Sequence, residues 1–311
     1  MNIGILGIGG VGGYFGGLLA DRYQQSPDVH IIFIARPSTA AVLRKDGLRL
    51  ITPEWEKVIH PFKVATNADE TGPLDVLICS TKAYDLEEAL RPLACCITAD
   101  TLLLPLLNGV DAQDKISSIY PDAKVLSGCV YVNARRSAPG VIQKTGTVEK
   151  LYFGNPDLPQ DRLEDLQQIF RDADIDSSLS VSIETDTWTK FVFTAGMATS
   201  TSYFDESIGE VMQNADHWAT LSSLVREAHA VAIALGIQLP VGIVETTMEK
   251  MGQLPFDGTS SMHRDFRQGG KTEFRSLTKY IADLGDSLGI DTPTYDNILP
   301  HFIKHEQEAG I

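Results

Sequence analysis

Residues 2–13 read Asn2-Ile3-Gly4-Ile5-Leu6-Gly7-Ile8-Gly9-Gly10-Val11-Gly12-Gly13, and this stretch decides the fold. An apolar run leads into Gly7-x-Gly9-x-x-Gly12, and apolar residues then recur at helical spacing. Strand, tight turn and helix in this order are typical of a dinucleotide-binding βαβ unit. A glycine-rich turn without a ligand could carry the same letters, but a second apolar run follows at residues 29–35, which is the βαβ spacing. We therefore predict a dinucleotide site at Gly7, Ile8, Gly9, Gly10, Val11 and Gly12.

The three motif glycines have separate physical reasons to be there. Gly7 permits a tight turn that a Cβ atom would strain, and Gly9 lets the backbone approach a pyrophosphate. Gly12 lets the helix pack closely on the strand. The N-terminus of that helix offers unpaired N–H groups and a positive dipole end, both of which attract phosphate.

The residue after the second strand bears on which dinucleotide binds. A site for NAD usually carries Asp or Glu there, to accept hydrogen bonds from the ribose hydroxyls. Here Ile31-Ile32-Phe33-Ile34-Ala35 is followed by Arg36. A guanidinium group suits a dianionic 2′-phosphate through bidentate, charge-assisted bonds. Arg36 could also be a solvated loop residue, but the absence of a carboxylate favours NADP(H) as the cofactor.

Composition narrows the classes of partner. The chain has 311 residues, with 41 acidic and 26 basic side chains and a formal net charge of −15. Such a surface repels nucleic acid and anionic membranes, so we expect neither as a partner. An anionic ligand must be held by local positive groups, which makes each well-placed Lys or Arg informative.

The four cysteines indicate a reducing compartment. None forms a Cys-x-x-Cys pair, and the expected state is buried free thiols. No signal peptide precedes the first strand and no apolar run is long enough to span a bilayer, so the sequence predicts a cytoplasmic protein.

The pattern along the chain predicts two domains. Strands and helices alternate as far as residue 109, which favours an open, doubly wound parallel sheet of Rossmann type, and shorter strands follow between 125 and 154. From Glu184 helical periodicity dominates, at about 185–203, 215–236, 241–252 and 273–289. We predict an α/β dinucleotide-binding domain over 1–183 and an all-α domain for substrate binding and dimerisation over 184–311.

Several polar residues stand where chemistry is expected. Lys82 and Asn108 follow predicted parallel strands, and ligands of open α/β sheets gather at the carboxyl ends of strands. Lys190 is a lone cation in a strongly apolar helix, with Thr194 one turn further on the same face. Each of these has an ordinary alternative, as a solvated lysine, a turn or a snorkelling side chain. Taken alone, Ser260-Ser261 suggests a helix cap and Lys271-Thr272-Glu273 a solvated charge pair.

These motifs, taken in order, resemble the ketopantoate reductase (2-dehydropantoate 2-reductase) family along essentially the whole chain. The shared features are the glycine loop, Arg36, Thr81-Lys82-Ala83, Asn108-Gly109, Trp188-x-Lys190, Ser260-Ser261-Met262 with Asp265, and Thr272-Glu273. The ordered set is far more specific than any of its members.

The resemblance implies an NADPH-dependent reduction of a 2-oxo acid to its 2-hydroxy acid, in pantothenate biosynthesis if the substrate is 2-dehydropantoate. It implies that Lys190 is the general acid and that Glu273 belongs with it to the catalytic set. Substrate contacts are expected from Asn108, Thr194, Ser261 and Glu273. Lys82 and Asn108 are expected to contact the cofactor together with Arg36 and the glycine loop. A partly desolvated ammonium is a suitable proton donor to the alkoxide that hydride transfer creates.

The chain also departs from the family pattern. Thr194 and Ala198 stand on the Lys190 face of the helix where the family commonly has asparagines, and Glu273-Phe274 continues with an unusual sequence. Two alternatives therefore stay open: a reductase acting on another small 2-oxo acid, and a non-catalytic NADP(H)-sensing protein. No metal site is predicted, because His301 and His305 lack the Glu of an H-E-x-x-H arrangement. A homodimer formed through the helical domain is a further possibility.

Overall fold

The computed structural model describes residues 1–310, which form two compact units. The first unit comprises Met1–Leu107 and Asp111–Ile183, and the second comprises Asn108–Val110 and the described residues from Glu184 onward. The first unit carries all of the strands of the described residues. In chain order they are β1 (Asn2–Leu6), β2 (His30–Ile34), β3 (Leu48–Ile51), β4 (Glu56–Ile59), β5 (Lys63–Ala65), β6 (Val76–Cys79), β7 (Leu102–Pro105), β8 (Lys124–Val125), β9 (Ser127–Ala138), β10 (Val141–Gly154) and β11 (Ser177–Leu179).

The helices of the first unit connect these strands. They are α1 (Gly10–Tyr23), α2 (Pro37–Asp46), α3 (Ala68–Thr71), α4 (Leu86–Leu90), α5 (Ala112–Ile119) and α6 (Gln160–Asp172), and short 3₁₀ turns flank α4 at Ala83–Asp85 and Arg91–Cys96.

The main sheet has six strands in the order β5-β2-β1-β6-β7-β8, and all neighbouring strands in it are parallel. Successive side chains of its central strands point to opposite faces, and those on both faces are apolar, so both faces of the sheet are covered. In β6, Val76 and Ile78 pack into one apolar cluster, while Leu77 and Cys79 pack into the cluster on the opposite face. The predicted α/β fold of Rossmann type is therefore confirmed.

A second sheet in this unit, ordered β11-β10-β3-β4 with β9 paired to β10, replaces the short strands expected from the sequence. β9 and β10 form one long antiparallel hairpin, and its register shifts between Thr145 and Glu149. A bulge of this kind bends the strand, and the interrupted alternation hides its continuity in the sequence.

The second unit is helical. After α7 (Ile183–Phe204) come α8 (Ile208–Gln213), α9 (Ala215–Ala234), α10 (Ile243–Gly252), α11 (Ser261–Arg267), α12 (Tyr280–Leu288) and α13 (Pro293–Ala309). The helix expected over 273–289 is present, but it begins with a π-helical turn at Arg275–Lys279 that continues directly into α12. The two short helices α8 and α11 lack the length over which periodicity can be recognised. The predicted succession of an α/β part and a helical part is confirmed.

Two further properties follow from the described residues. None of their helices combines the length and the apolar character that a bilayer crossing requires. All four cysteines are free, and Cys79, Cys96 and Cys129 are buried whereas Cys95 is exposed. Burial raises the pKa of the Cys79 thiol to about 12, so this side chain is an inert part of the core.

Candidate active site

The glycine loop between β1 and α1 has the geometry that its sequence predicts. Gly7 has φ +91°, and a Cβ atom there would lie 2.9 Å from the carbonyl oxygen of Ser80 and from the amide nitrogen of Thr81. At Gly12 a Cβ atom would lie 2.1 Å from the carbonyl oxygen of Gly7. The loop therefore packs directly against the turn that follows β6, and only glycine fits at these two positions.

Gly9 and Gly10 face different surroundings. A Cβ atom at Gly9 would meet no atom within 4 Å, whereas at Gly10 it would lie 2.2 Å from the carbonyl oxygen of Ala134. Strand β9 thus crosses over Gly10, a contact that the sequence does not predict. Gly9 caps α1 without a side-chain hydrogen bond, and no acidic residue stands in the first turn. An open approach to uncapped N–H groups at a helix N-terminus fits the diphosphate of a dinucleotide.

A buried polar cluster fixes α1 to the hairpin. The Tyr14 hydroxyl donates a hydrogen bond to the carboxylate of Glu149, and the ammonium of Lys144 lies 3.4 Å from the same carboxylate oxygen. Burial, together with the hydrogen bond to Glu149, raises the pKa of Tyr14, so the phenol stays protonated. The helix that carries the glycine loop is therefore anchored one turn beyond its start.

Arg36 is the N-cap residue of α2, just beyond Ala35 and the end of β2, and its guanidinium Nη2 lies 2.6 Å from Oδ2 of Asp85. Lys82 lies in the same unit, at the beginning of the 3₁₀ turn after β6. Because β2, β1 and β6 are adjacent parallel strands, Arg36, the glycine loop and Lys82 all follow strand ends on one edge of the sheet.

In the second unit, Asn108 bridges Lys190 and Glu273. Its Oδ1 accepts from Lys190 Nζ at 3.4 Å, and its Nδ2 donates to Glu273 Oε2 at 3.4 Å. The two ends of one amide thus satisfy groups of opposite charge. Both distances are long for hydrogen bonds, and catalytic contacts commonly shorten only when substrate binds.

Glu273 is 3% exposed, so the solvated charge pair that its local sequence suggests is wrong. A buried carboxylate requires donors, and Asn108 supplies one. The amide nitrogens of Ser276 and Leu277 both donate to the carbonyl oxygen of Glu273, which fixes this residue at the start of the π-helical turn. That turn is joined to α7 by the fully buried hydrogen bond between Thr199 and Thr278, at 2.8 Å. Turns of this type are frequent at functional sites.

Thr194 lies on α7, and Ser261 lies on α11, which is joined to α7 by a hydrogen bond. Thr194 is one turn beyond Lys190 on α7 and shares its face. Ser261 opens α11, where Ser260 is the N-cap and accepts from the His263 amide. The hydroxyls of Ser260 and Thr201 lie 3.2 Å apart and connect α11 with α7. The sequence-based suggestion of a helix cap at Ser260 agrees with this geometry.

A second connection between α7 and α11 has no signal in the sequence. The buried His263 ring lies 2.8 Å from Asp205 Oδ1 through Nε2 and 2.5 Å from the Thr259 hydroxyl through Nδ1. Asp205, directly after α7, also accepts from Arg267 Nε at 2.6 Å. Hydrogen bonds from Arg267 and from His263 hold the pKa of Asp205 below its usual range. Among the described residues, no cluster of His, Cys, Asp or Glu side chains could hold a metal ion.

A Rossmann-type unit with an open glycine loop, together with a helical unit that groups a lysine, an amide and a buried carboxylate, defines a dinucleotide-dependent oxidoreductase. Comparison with known proteins agrees. Residues 3–157 match the family model described as "Ketopantoate reductase PanE/ApbA", and residues 182–306 match the model of its C-terminal part. The chain belongs to the ketopantoate reductase family and is an oxidoreductase of 2-oxo acids.

Three known proteins illustrate what the chain is similar to in sequence or in fold. An uncharacterized oxidoreductase, YkpB, of Bacillus subtilis is 25% identical over 98% of each chain. The 2-dehydropantoate 2-reductase structure from Porphyromonas gingivalis W83 is 30% identical, with a TM-score of 0.84 over 97% of this chain and 99% of that one. A ternary structure of D-mandelate dehydrogenase with NADH and anilino(oxo)acetate has a TM-score of 0.89 over 100% of both chains, and at 20% identity it shows the shared fold alone.

Proposed function

We propose that this protein reduces 2-dehydropantoate to pantoate with NADPH, and that Lys190 is the general acid. The observation that carries the proposal is the cluster in which Asn108 contacts both Lys190 and the buried Glu273. Membership of the ketopantoate reductase family supports the reaction class.

The residues of the first unit would hold the cofactor. The backbone of residues 7–12 and the N-terminus of α1 would bind the diphosphate, Arg36 would bind the 2′-phosphate, and Lys82 would contact the nicotinamide half. When bound, the reduced nicotinamide supplies a hydride to the carbonyl carbon of the oxo acid.

Residues of the chain would supply the proton that the carbonyl oxygen takes up. Charge develops on the carbonyl oxygen during reduction, and the ammonium of Lys190 stabilises that charge and then protonates the oxygen. Asn108 restrains the ammonium of Lys190 by accepting a hydrogen bond from it. Glu273 keeps the amide of Asn108 in that orientation, because its carboxylate can only accept. Ser261 and Thr194 would donate hydroxyl hydrogen bonds to the substrate.

A second candidate is the same reaction on a different 2-oxo acid. Thr194 and the buried Ala198 lack the two amides that are common at these positions in the family. A hydroxyl and a methyl group discriminate less well for a hydroxylated substrate than two amides do, because they offer fewer hydrogen-bond donors and acceptors. The structural similarity to an enzyme named D-mandelate dehydrogenase is consistent with a broader substrate range within this fold.

The test is consumption of NADPH by the purified protein with 2-dehydropantoate, beside a panel of 2-oxo acids of increasing side-chain size. Preferential turnover of 2-dehydropantoate supports the first candidate, and preferential turnover of another acid supports the second. Tight NADPH binding without turnover of any acid would contradict both and favour the sensing protein. Homodimer formation and a cytoplasmic location stay predictions from the sequence.

A further inference from the structure

The ion pair between Arg36 and Asp85 joins two strand ends that flank the glycine loop. Arg36 follows β2 and Asp85 follows β6, and these strands lie on opposite sides of β1. The turn after β6 is in close contact with the loop, because a Cβ atom at Gly7 would lie 2.9 Å from the backbone of both Ser80 and Thr81. The pair therefore borders the region that a dinucleotide on residues 7–12 must enter.

Asp85 is not used as a helix cap, although it stands at the N-cap position of α4. Its side chain makes no capping hydrogen bond there and instead accepts from Arg36 Nη2 at 2.6 Å. The guanidinium side chain is 77% exposed and the carboxylate 24% exposed. A pair with one partner so open to water contributes little to folding, so stability alone gives no reason for an acidic residue at this point.

We propose that Asp85 sets the cofactor preference, by supplying from the β6 side the ribose-binding carboxylate that β2 lacks. A carboxylate beside the adenosine ribose accepts hydrogen bonds from the 2′- and 3′-hydroxyls and so favours NADH. The same carboxylate repels a 2′-phosphate and competes with it for Arg36. The protein consequently binds both dinucleotides, and its preference for NADPH is small.

The proposal rests on the proposed function only in that the first unit binds a nicotinamide dinucleotide. It is independent of the oxo acid, and it can therefore be tested by binding alone. Fluorescence titration gives dissociation constants for NADPH and NADH on the intact chain, without any turnover.

Asp85→Asn is the main variant, and Asp85→Ser is a second one with a smaller polar side chain. The matched control is Glu88→Gln, which removes the same charge from an exposed position on α4. We expect Asp85→Asn to tighten NADPH and weaken NADH, so that the ratio of their dissociation constants changes by about tenfold, while Glu88→Gln changes it by less than about twofold. Combining Asp85→Asn with Arg36→Gln should remove most of the gain for NADPH, since both residues act on one phosphate.

The outcomes separate this proposal from the proposed function. If the ratio of the dissociation constants for NADPH and NADH is the same in Asp85→Asn, Asp85→Ser and Glu88→Gln, the role of Asp85 is overturned and the proposed reductase function is unaffected. A wild-type protein that binds NADPH at least 100-fold more tightly than NADH would also overturn it. Absence of binding of either dinucleotide would overturn both. Binding in the proposed ratio without turnover of any oxo acid would support Asp85 and contradict only the reaction.

Discussion

Lys190 Nζ and Asn108 Oδ1 lie 3.4 Å apart, and the other end of the same amide faces Glu273. The three residues come from distant parts of the chain, since 82 positions separate Asn108 from Lys190 and 165 separate it from Glu273. An amide that contacts an ammonium and a carboxylate at once can have only one orientation, because its oxygen must face the donor and its nitrogen the acceptor. The ammonium is thereby held in place before any substrate arrives.

Replacing Lys190 tests the proton donor. Lys190→Ala should lower kcat by about 10²- to 10⁴-fold, because general acid catalysis is lost, while the dissociation constant for NADPH changes little. Lys304→Ala, at a lysine of α13 whose side chain is 73% exposed, controls for the loss of a positive charge. Stopped-flow measurement of NADPH oxidation separates the reduction step from product release. A full rate in Lys190→Ala would assign the proton to another group.

Asn108→Asp should be more harmful than Asn108→Ser. The aspartate would bring a second carboxylate to the side of Glu273, which is buried, and like charges at that distance disfavour the folded state. We expect a lower melting temperature and a KM for the oxo acid raised by about tenfold or more, because an anionic substrate is also repelled. Asn108→Ser keeps the site neutral and should mainly lower kcat. Identical thermal and kinetic behaviour of the two variants would show that the charge at this position is unimportant.

The sequence predicted the α/β and helical classes because their periodicities are strong and their central strands are uniformly apolar. It predicted the glycine loop because each glycine answers a local steric demand, such as the positive φ of Gly7. Only the local pattern around Glu273, taken alone, gave a wrong prediction, because the burial of Glu273 depends on the π-helical turn and on Asn108, which lies far away along the chain. Residues linked only in space, such as Asp85 with Arg36, have no signal in a single sequence.

Gly9 and Gly10 are adjacent, but an alanine should affect cofactor binding at Gly9 and fold stability at Gly10. At Gly9 the backbone is extended and a methyl group meets no atom within 4 Å, so Gly9→Ala should leave the melting temperature unchanged. The methyl group would instead obstruct the diphosphate and weaken NADPH binding by about tenfold or more. Gly10→Ala would drive a methyl group into the carbonyl of Ala134 and should destabilise the fold by about 3 kcal/mol. Calorimetry and NADPH titration of both variants check this, and unimpaired NADPH binding by Gly9→Ala would place the diphosphate elsewhere.

The contacts of Asp205 predict a pH-dependent term in the stability of the helical unit. Hydrogen bonds from Arg267 and from His263 lower the pKa of Asp205 in the folded protein. A lowered carboxylate pKa contributes stability above its unfolded value, near 4, and that contribution is lost as the pH falls through the folded value. Asp205→Asn keeps a residue that tolerates φ +55° and so removes mainly the charge.

We expect Asp205→Asn to lower the free energy of unfolding by about 1 kcal/mol at pH 7, a figure already reduced for solvent screening of a half-exposed group. The difference from wild type should shrink as the pH falls below the unfolded value near 4, and it should vanish once Asp205 is protonated in the folded protein as well. Glu249→Gln, at an exposed position of α10, is the control for the change in net charge. Urea unfolding at a series of pH values measures the effect. Because His263 and Arg267 belong to the helix that Ser261 opens, Asp205→Asn should also raise the KM for the oxo acid while the dissociation constant for NADPH stays constant. A stability difference that stayed constant as the pH was lowered through the acid range would show that Asp205 acts through its backbone conformation and not through its charge.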